Sequence, residues 1–225
     1  MPYKIDPESI PKFPDFGFET ALWDSGLRLV AGIDEAGRGA LAGPVSAAAL
    51  IFPPDPGLAE TLMGVNDSKL LKPEQRELWA ERLQIVAMAW GVGFATNEEI
   101  DNIGIVPATR LAVARALEQL TCIPEHILID YLQLPGSNTP FTPLVKGDRR
   151  SLSIAAASIL AKTARDKLMC SLGECYPGYG FAAHKGYGTA AHLAALAELG
   201  PSPVHRTSFH YGVLFDREET ENAGI

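Results

Sequence analysis

Two adjacent carboxylates stand at the end of an apolar stretch near the start of the chain. The stretch Leu29–Ile33 has the character of a buried strand, and Asp34 and Glu35 follow it directly. A glycine-rich turn that carries one arginine comes next. Buried carboxylates are unfavourable unless they are paired or coordinate a metal ion, so acids placed where such a strand ends require a cation.

Two further acids occupy comparable positions. Asp130 closes the apolar strand predicted over His126–Asp130, and Asp148 follows the strand predicted over Thr142–Val145. Sites in open α/β sheets lie outside the carboxyl ends of strands, so all four acids are predicted to meet at one sheet edge. For any one of these acids taken singly, a turn-forming or helix-capping role stays an alternative.

An all-oxygen ligand set determines which metal ions this edge would prefer. Carboxylates without cysteine or clustered histidine favour Mg²⁺ or Mn²⁺ over zinc. Two such ions suit phosphodiester hydrolysis, one lowering the pKa of the attacking water and the other stabilising the leaving oxygen. The residues therefore predict a metal-dependent enzyme that acts on a phosphodiester.

The elements that position these acids follow from the hydrophobic pattern and the turn signals. Besides the two strands above, three strands are predicted, over Leu27–Asp34, Val45–Phe52 and Val86–Ala95. The predicted helices are Phe18–Trp23, a helix that begins near Pro73, Pro107–Leu120, Ser151–Cys170 and Thr189–Leu199. Helices that alternate with strands predict a single α/β domain with a helical C-terminal addition. We expect a core over about residues 27–170, the addition over about 171–215, and extended or frayed ends at 1–16 and 216–225.

The composition of the chain indicates the cellular compartment. The chain has 225 residues, 47% of them hydrophobic, with three cysteines in no metal-like spacing. No apolar run reaches the length of a membrane span, and the N-terminus lacks a signal-peptide core. We therefore expect a cytoplasmic protein that does not contact a membrane.

Charge is distributed unevenly along the chain. The formal net charge is −8, yet residues 141–210 carry eight Lys and Arg against four Asp and Glu, while residues 1–140 carry ten against nineteen. A local basic field of this kind favours a polyanionic partner despite the overall charge. As an alternative, a helix with a charged, solvent-exposed face would give the same numbers of basic and acidic residues.

Five separated motifs resemble one known family, ribonuclease HII, in order from about Leu27 to Phe209. They are Gly32-Ile33-Asp34-Glu35-Ala36-Gly37-Arg38-Gly39 with Leu41-Ala42-Gly43-Pro44-Val45; Asp67-Ser68-Lys69; Lys146-Gly147-Asp148 through Ser151–Lys162 to Arg165-Asp166; His184-Lys185-Gly186-Tyr187-Gly188-Thr189; and Gly200-Pro201-Ser202-Pro203-Val204-His205-Arg206. The resemblance implies a ribonuclease H-like α/β fold, with a central mixed β-sheet flanked by helices and a C-terminal helical extension.

The resemblance also implies an activity. It implies an endoribonuclease that cleaves RNA in RNA–DNA hybrids and incises 5′ to single ribonucleotides in duplex DNA, leaving 3′-hydroxyl and 5′-phosphate ends. We expect this enzyme to be monomeric. Mn²⁺ or Mg²⁺ would be the cofactor, held by the catalytic acids Asp34, Glu35, Asp130 and Asp148. A sliding clamp that docks on the tail remains an open question.

The substrate-binding residues carried over from the family fall into two groups. The Gly37-Arg38-Gly39 turn resembles the element that senses the ribose 2′-hydroxyl through backbone groups, and Tyr187 resembles the tyrosine that stacks on the following deoxyribose. The remaining group consists of phosphate contacts, namely Arg38, Lys69, Lys146, Lys162 and Lys185, with His184 helping to bind or release the product phosphate. The chemistry agrees, because glycine lets backbone approach a sugar edge and the 2′-hydroxyl distinguishes RNA from DNA.

Three rival interpretations are weaker. The spacing Gly37-x-Gly39-x-x-Ala42 matches a dinucleotide fingerprint, but Gly43-Pro44-Val45 opens a strand where that motif needs a helix. A non-catalytic duplex-binding module has no need for four acids, which would weaken phosphate affinity.

The third rival keeps the enzyme but assigns a general base to His184, His192 or His205. Lone histidines in helices and loops more often pack or cap than catalyse. We therefore expect that replacing His184 slows cleavage less than replacing Asp148.

Overall fold

The computed structural model describes residues 10–211, and five strands within this range form one mixed sheet in the order β3-β2-β1-β4-β5. The strands are β1 Val30–Ala36, β2 Val45–Ile51, β3 Ala89–Ala95, β4 His126–Asp130 and β5 Phe141–Leu144. β1, β2 and β3 pair antiparallel, whereas β1, β4 and β5 pair parallel. The predicted tail at 216–225 and most of the predicted lead-in at 1–16 lie outside the described residues.

Helices connect and cover these strands. They are α1 Gly17–Asp24, α2 Leu58–Thr61, α3 Pro73–Val86, α4 Asn97–Ile103, α5 Ile105–Glu118, α6 Leu152–Cys175, α7 Phe181–His184 and α8 Ala190–Leu199. Two single 3₁₀ turns lie at Ser68–Leu70 and Gly147–Arg149. Caps fix several starts: the Ser151 side chain accepts the Ile154 N–H at 3.2 Å, and Thr189 accepts that of His192 at 3.3 Å. Such caps satisfy backbone donors that have no partner within the helix.

Each face of the sheet has its own hydrophobic core. One core lies between the sheet and α6, with α1 and α3 at its sides, and includes Val30, Leu50 and Leu128. The other lies between the sheet and α5 and includes Ile33 and Ile129. Since side chains alternate along a strand, Asp34 and Asp130 belong to the α6 face.

Glycines allow the central helices to approach the sheet closely. A Cβ on Gly32 in β1 would lie 2.2 Å from the Ser153 carbonyl carbon at the start of α6. A Cβ on Gly93 in β3 would lie 2.1 Å from the Ala112 carbonyl oxygen in α5. The first contact fixes the start of α6, which follows Asp148, against the strand that carries Asp34.

The predicted fold class is confirmed, and the element boundaries differ in informative ways. β1 continues through Asp34 and Glu35 to Ala36, because β2 pairs with it as far as Ala36↔Ser46. β3 begins at Ala89 because α3 extends through Val86, and α6 continues past residue 170 to Cys175. The short helices α2, α4 and α7 were not predicted.

The side of α5 that carries Leu111, Ala114, Leu117 and Leu120 is not its most buried face. The structure buries smaller side chains instead, namely Ala108, Thr109, Ala112, Val113 and Ala116. Small residues let α5 approach the glycines of β3, which the leucines would prevent. The predicted division near residue 170 stays a prediction.

None of the helices within residues 10–211 is long and apolar enough to cross a membrane.

Candidate active site

Strand pairing brings the predicted acids to one end of the sheet. In the parallel pair β1–β4, Ile33 lies opposite Ile129, so Asp34 and Asp130 follow at the same level on neighbouring strands. Asp130 lies opposite Leu144 at the end of β5. The Gly147 N–H donates to Asp130 Oδ1 at 2.7 Å, which holds the 3₁₀ turn that carries Asp148 against β4.

Burial and mutual repulsion shift Asp34, Asp130 and Asp148 toward their protonated forms. Burial, followed by the charges of Glu35, Asp130 and Asp148, raises the pKa of Asp34 well above its usual range. Burial and the charges of Asp130 and Asp67 raise the pKa of Asp148 to about 6. The pKa of Asp130 is also raised, mainly by burial. These carboxylates therefore interact electrostatically as one group.

A lysine and a further acid complete the edge of this group. Lys69 Nζ lies 3.8 Å from Asp148 Oδ2 and 4.0 Å from Asp67 Oδ1. Asp67 also caps its own turn by accepting the Lys69 N–H at 2.9 Å. Asp67, Lys69, Asp130, Lys146, Asp148 and Arg149 are among the residues that line a cavity of 490 Å³ here.

The donor chemistry of this cavity fits a hard divalent cation. Within residues 10–211, no group of three or more His, Cys, Asp or Glu side chains stands in a metal-holding arrangement. The fit rests instead on donor type and charge. Every acid offers oxygen ligands, and Asp34, Asp130 and Asp148 repel one another. At roughly 4 Å, two like charges repel by about 4 kcal/mol at an effective dielectric near 20, and a bound cation would offset this repulsion.

The glycine turn lies beside the acids. Gly37 adopts φ +92°, which favours glycine, and Arg38 and Gly39 are exposed. The Arg38 side chain donates to Glu35 Oε1 at 3.1 Å. This predicted phosphate contact is therefore paired with a predicted metal ligand in the structure.

Other predicted substrate residues line a second cavity, of 790 Å³, rather than the one with the acids. Lys162, His184, Lys185 and Tyr187 belong to it, together with Arg76. The Tyr187 ring centroid lies 5.5 Å from Lys162 Nζ. Lys162 itself pairs with Asp166 at 2.7 Å, and Lys185 Nζ donates to the Ala182 carbonyl and to Cys170 Sγ.

The glycine turn connects the two cavities through its backbone. Ala40 forms a bridge with Tyr187, and the Leu41 N–H donates to the Gly186 carbonyl at 2.7 Å. The predicted residues thus form two clusters joined by the turn, not one pocket.

Two histidines, His205 and His192, form a hydrogen-bonded chain that ends at the Tyr187 carbonyl. The Ser202 N–H donates to His205 Nδ1 at 2.9 Å, so the neutral His205 carries its proton on Nε2 and donates it to His192 Nε2, 3.0 Å away. His192 Nδ1 then donates to the Tyr187 carbonyl at 3.0 Å. Burial lowers the pKa of His205 to about 4, and the pKa of His192 is lowered too.

His184 is also engaged by main chain. Its Nε2 lies 2.7 Å from the Tyr179 carbonyl oxygen, and its Nδ1 accepts the Gly186 N–H at 3.2 Å. Its ring stacks on His192 with centroids 4.3 Å apart. These bonds suit a packing role better than that of a general base.

Two arginines to which the sequence assigned no role support the glycine turn. Arg165 and Arg206 have no exposed surface and donate to backbone carbonyls of the turn. Both lie in motifs that resemble the family, but arginine usually lies on the surface, so residue type alone gives no sign of burial.

Comparisons with known proteins agree with this arrangement. A family profile described as Ribonuclease HII matches residues 31–211. The ribonuclease HII of Synechococcus sp. strain JA-3-3Ab is 55% identical over 198 residues, which cover 87% of this chain and 88% of that protein.

Solved structures share the fold. A ribonuclease H2 from Pyrococcus horikoshii OT3 is 27% identical with a TM-score of 0.66, covering 81% of this chain and 94% of that one. RNase HII in a PCNA:RNase HII complex from Archaeoglobus fulgidus is 25% identical with a TM-score of 0.65, covering 79% and 92%. A Bst-RNase HIII in complex with Mn²⁺, 21% identical with a TM-score of 0.65 and covering 85% and 71%, shows the fold alone.

Proposed function

The chain belongs to the ribonuclease HII family, and from this premise we propose that it cuts RNA–DNA hybrids and incises duplex DNA 5′ to single ribonucleotides. As a ribonuclease H it is a hydrolase and an endonuclease. The proposed products are 3′-hydroxyl and 5′-phosphate ends, because water attacks phosphorus directly and no covalent protein nucleophile is involved.

One observation carries the proposal: acids from β1, from β4 and from the turn before α6 meet at the end of the sheet, beside exposed lysines. We assign Asp34, Glu35, Asp130 and Asp148 to hold Mg²⁺ or Mn²⁺. A divalent cation bound there would supply the Lewis acidity that phosphodiester hydrolysis requires.

The protein's own residues would bind and orient the nucleic acid. Lys69 and Lys146 are exposed beside the acids and can accept a phosphate without the loss of a buried ion pair. Lys162 and Lys185 flank Tyr187 in the second cavity, where a neighbouring part of the strand would lie. The exposed backbone of Arg38 and Gly39 is available to the sugar edge.

A duplex DNA with one ribonucleotide, incubated with and without Mg²⁺ or Mn²⁺, tests the proposal. We expect a single metal-dependent nick on the 5′ side of the ribonucleotide and none in the all-DNA duplex. A nick elsewhere, or none, would refute the assignment of the substrate.

We also propose that the protein acts in the cytoplasm as a monomer and that a sliding clamp is a second partner. Support for the clamp comes from the Archaeoglobus fulgidus protein, whose structure was solved as a PCNA complex. The tail, on which a clamp would dock, lies outside the described residues. Size-exclusion chromatography with and without a clamp tests both the monomer and the complex.

A further inference from the structure

Two buried arginines lie beneath the glycine turn without a carboxylate partner in the described part of the chain. Arg165 on α6 and Arg206 in the segment after α8 both have 0% of their surface exposed. Asp166, next to Arg165, pairs instead with Arg76 at 2.9 Å and with Lys162 at 2.7 Å. A buried cation without a counter-ion is costly, and packing apolar side chains there would often be cheaper. We therefore expect the hydrogen-bond partners of Arg165 and Arg206 to account for the burial of these two side chains.

Arg206 binds the carbonyl groups of the glycine turn. Its Nη2 donates to the Gly37 carbonyl at 2.7 Å, its Nη1 to that of Arg38 at 2.9 Å and its Nε to that of Gly43 at 2.9 Å. In a trans peptide the C=O and the following N–H point in opposite directions. Drawing these carbonyls inward therefore turns the N–H groups of Arg38 and Gly39 outward.

These two N–H groups are free to bind a ligand. Within residues 10–211 neither of them donates a hydrogen bond, and both residues are exposed. The pKa of Arg206, lowered to about 9 by burial and by the charge of Arg165, leaves the guanidinium cationic at neutral pH. A cation that binds the carbonyls polarises the peptide groups and strengthens their N–H groups as donors.

Arg165 ties the same turn to Tyr187. Its Nε donates to the Pro44 carbonyl at 2.8 Å, its Nη2 to that of Ala42 at 3.1 Å and its Nη1 to that of Lys185 at 2.9 Å. Its Cζ lies 5.5 Å from the Tyr187 ring centroid. The Arg165 side chain thus fixes the glycine turn relative to the segment that carries Lys185 and Tyr187.

Glycine at position 37 belongs to the same arrangement. A Cβ there would lie 1.9 Å from Arg165 Nε, so the turn can rest on the guanidinium only because this residue is glycine.

We propose that Arg165 and Arg206 are positioning residues that set the preference for a ribonucleotide over a deoxyribonucleotide, acting through the turn's outward N–H groups and Tyr187. This inference rests on the proposed function, since it assumes that the turn meets the ribose 2′-hydroxyl. Neither arginine touches the nucleic acid in this arrangement. Arg206 orients the N–H groups of the turn, and Arg165 fixes the position of the turn relative to Tyr187.

Binding measured without catalysis tests the inference. Two duplexes of one sequence, one all-DNA and one with a single ribonucleotide, are titrated in EDTA by fluorescence anisotropy. The Kd of the all-DNA duplex divided by the Kd of the ribonucleotide duplex gives the selectivity. We expect R206K and R165K, which keep the charge but lose the planar fork, to reduce this ratio roughly tenfold while the all-DNA Kd stays unchanged. A purely structural role would weaken binding to both duplexes equally.

R115K is the matched control. Arg115 on α5 also donates to a backbone carbonyl, that of Phe94 at 2.7 Å, and pairs with Glu99 on the other side of the sheet. The control should leave both Kd values unchanged.

A gentler variant covers the case in which an arginine variant does not fold. The Asp101 carboxylate accepts four hydrogen bonds from Thr207 and Ser208, directly after Arg206. D101N should loosen this segment and reduce the ratio in the same direction, by roughly threefold.

The outcomes separate the two proposals. If the wild type makes no nick at a ribonucleotide, the proposed function fails. If the wild type nicks but binds both duplexes equally, or if D101N and every folded arginine variant keep the wild-type ratio, the inference fails and the proposed function stands.

Discussion

Lys69 Nζ lies 3.8 Å from Oδ2 of Asp148, and the lysine side chain is 77% exposed whereas that of the aspartate is only 8% exposed. Partial burial opposes the charged form of Lys69, but the charges of Asp67 and Asp148 raise its pKa overall. The exposed lysine thus offsets part of the negative charge that a metal ion would otherwise neutralise. It can also turn toward a phosphate, since its stem is not packed.

Metal binding should stabilise the fold. Because the acids repel one another, millimolar Mg²⁺ or Mn²⁺ should raise the melting temperature by several degrees; a ligand at 100 times its Kd stabilises by about 2.7 kcal/mol. D34N should melt higher than the wild type in EDTA, since it removes a charge whose burial is unfavourable, and should lose most of the metal shift. Differential scanning fluorimetry measures both, with K⁺ at equal ionic strength as the control. An equal metal shift in D34N would contradict the assignment.

Removing one acid should separate cutting from binding. D34N or D148N should lower kcat by at least about a thousandfold, a loss of about 4 kcal/mol in transition-state stabilisation. Duplex affinity should stay the same or improve, because a negative charge near phosphates is lost. D55N is the control, since within residues 10–211 the Asp55 side chain accepts only the Gly57 N–H, in a loop. Persistent cutting by D34N would refute the metal hypothesis.

Tyr187 should act through its ring rather than its hydroxyl. The ring lies over Lys162 and Arg165, each 5.5 Å from its centroid. Y187A should lower kcat/KM on a single-ribonucleotide duplex roughly tenfold, the scale of a lost aromatic contact of about 1.4 kcal/mol. Y187F should retain most activity. Steady-state kinetics decide this, and an equal loss in both variants would instead assign the role to the hydroxyl.

His184 should matter less than the acids. Both of its ring nitrogens are engaged by main chain, so H184A should lower kcat less than D148N under the same conditions. The melting temperature of H184A should show whether a lower kcat results from a less stable fold. An equal or larger loss of kcat in a folded H184A would make the histidine part of the chemistry.

Buried neutral histidines should make the protein sensitive to acid. The folded-state pKa of His205 is lowered to about 4 from an ordinary 6.5, by burial first and then by His192. Its stabilising contribution is therefore complete above pH 6.5 and is lost as the pH falls through 4, a loss of about 3 kcal/mol. Urea unfolding at pH 7 and pH 4 measures this. H205N, which removes the titrating ring, should show a smaller decrease between the two pH values; an unchanged decrease would assign the sensitivity to other groups.

Much of the architecture could be predicted because it depends on local pattern. The β4 strand matches its predicted bounds, and the predicted starts of α6 and α8 lie within one residue of the observed ones, where Ser151 and Thr189 cap the helices. Apolar runs and helix starts are properties of a few adjacent residues. The extension of β1 past Asp34 could not be predicted in this way. It depends on pairing with β2, which is a tertiary contact.

The sequence by itself determined the types of the chemical groups: four acids near strand ends, a glycine turn and a tyrosine between glycines. Only the tertiary structure decided how they are grouped, with Asp130 and Asp148 in one cavity, Tyr187 in another and the glycine turn between them. It also decided the burial of Arg165 and Arg206, because an arginine is usually exposed unless distant backbone carbonyls surround it. Residue type fixes what a side chain can donate or accept, whereas its partners come from parts of the chain that only folding brings together.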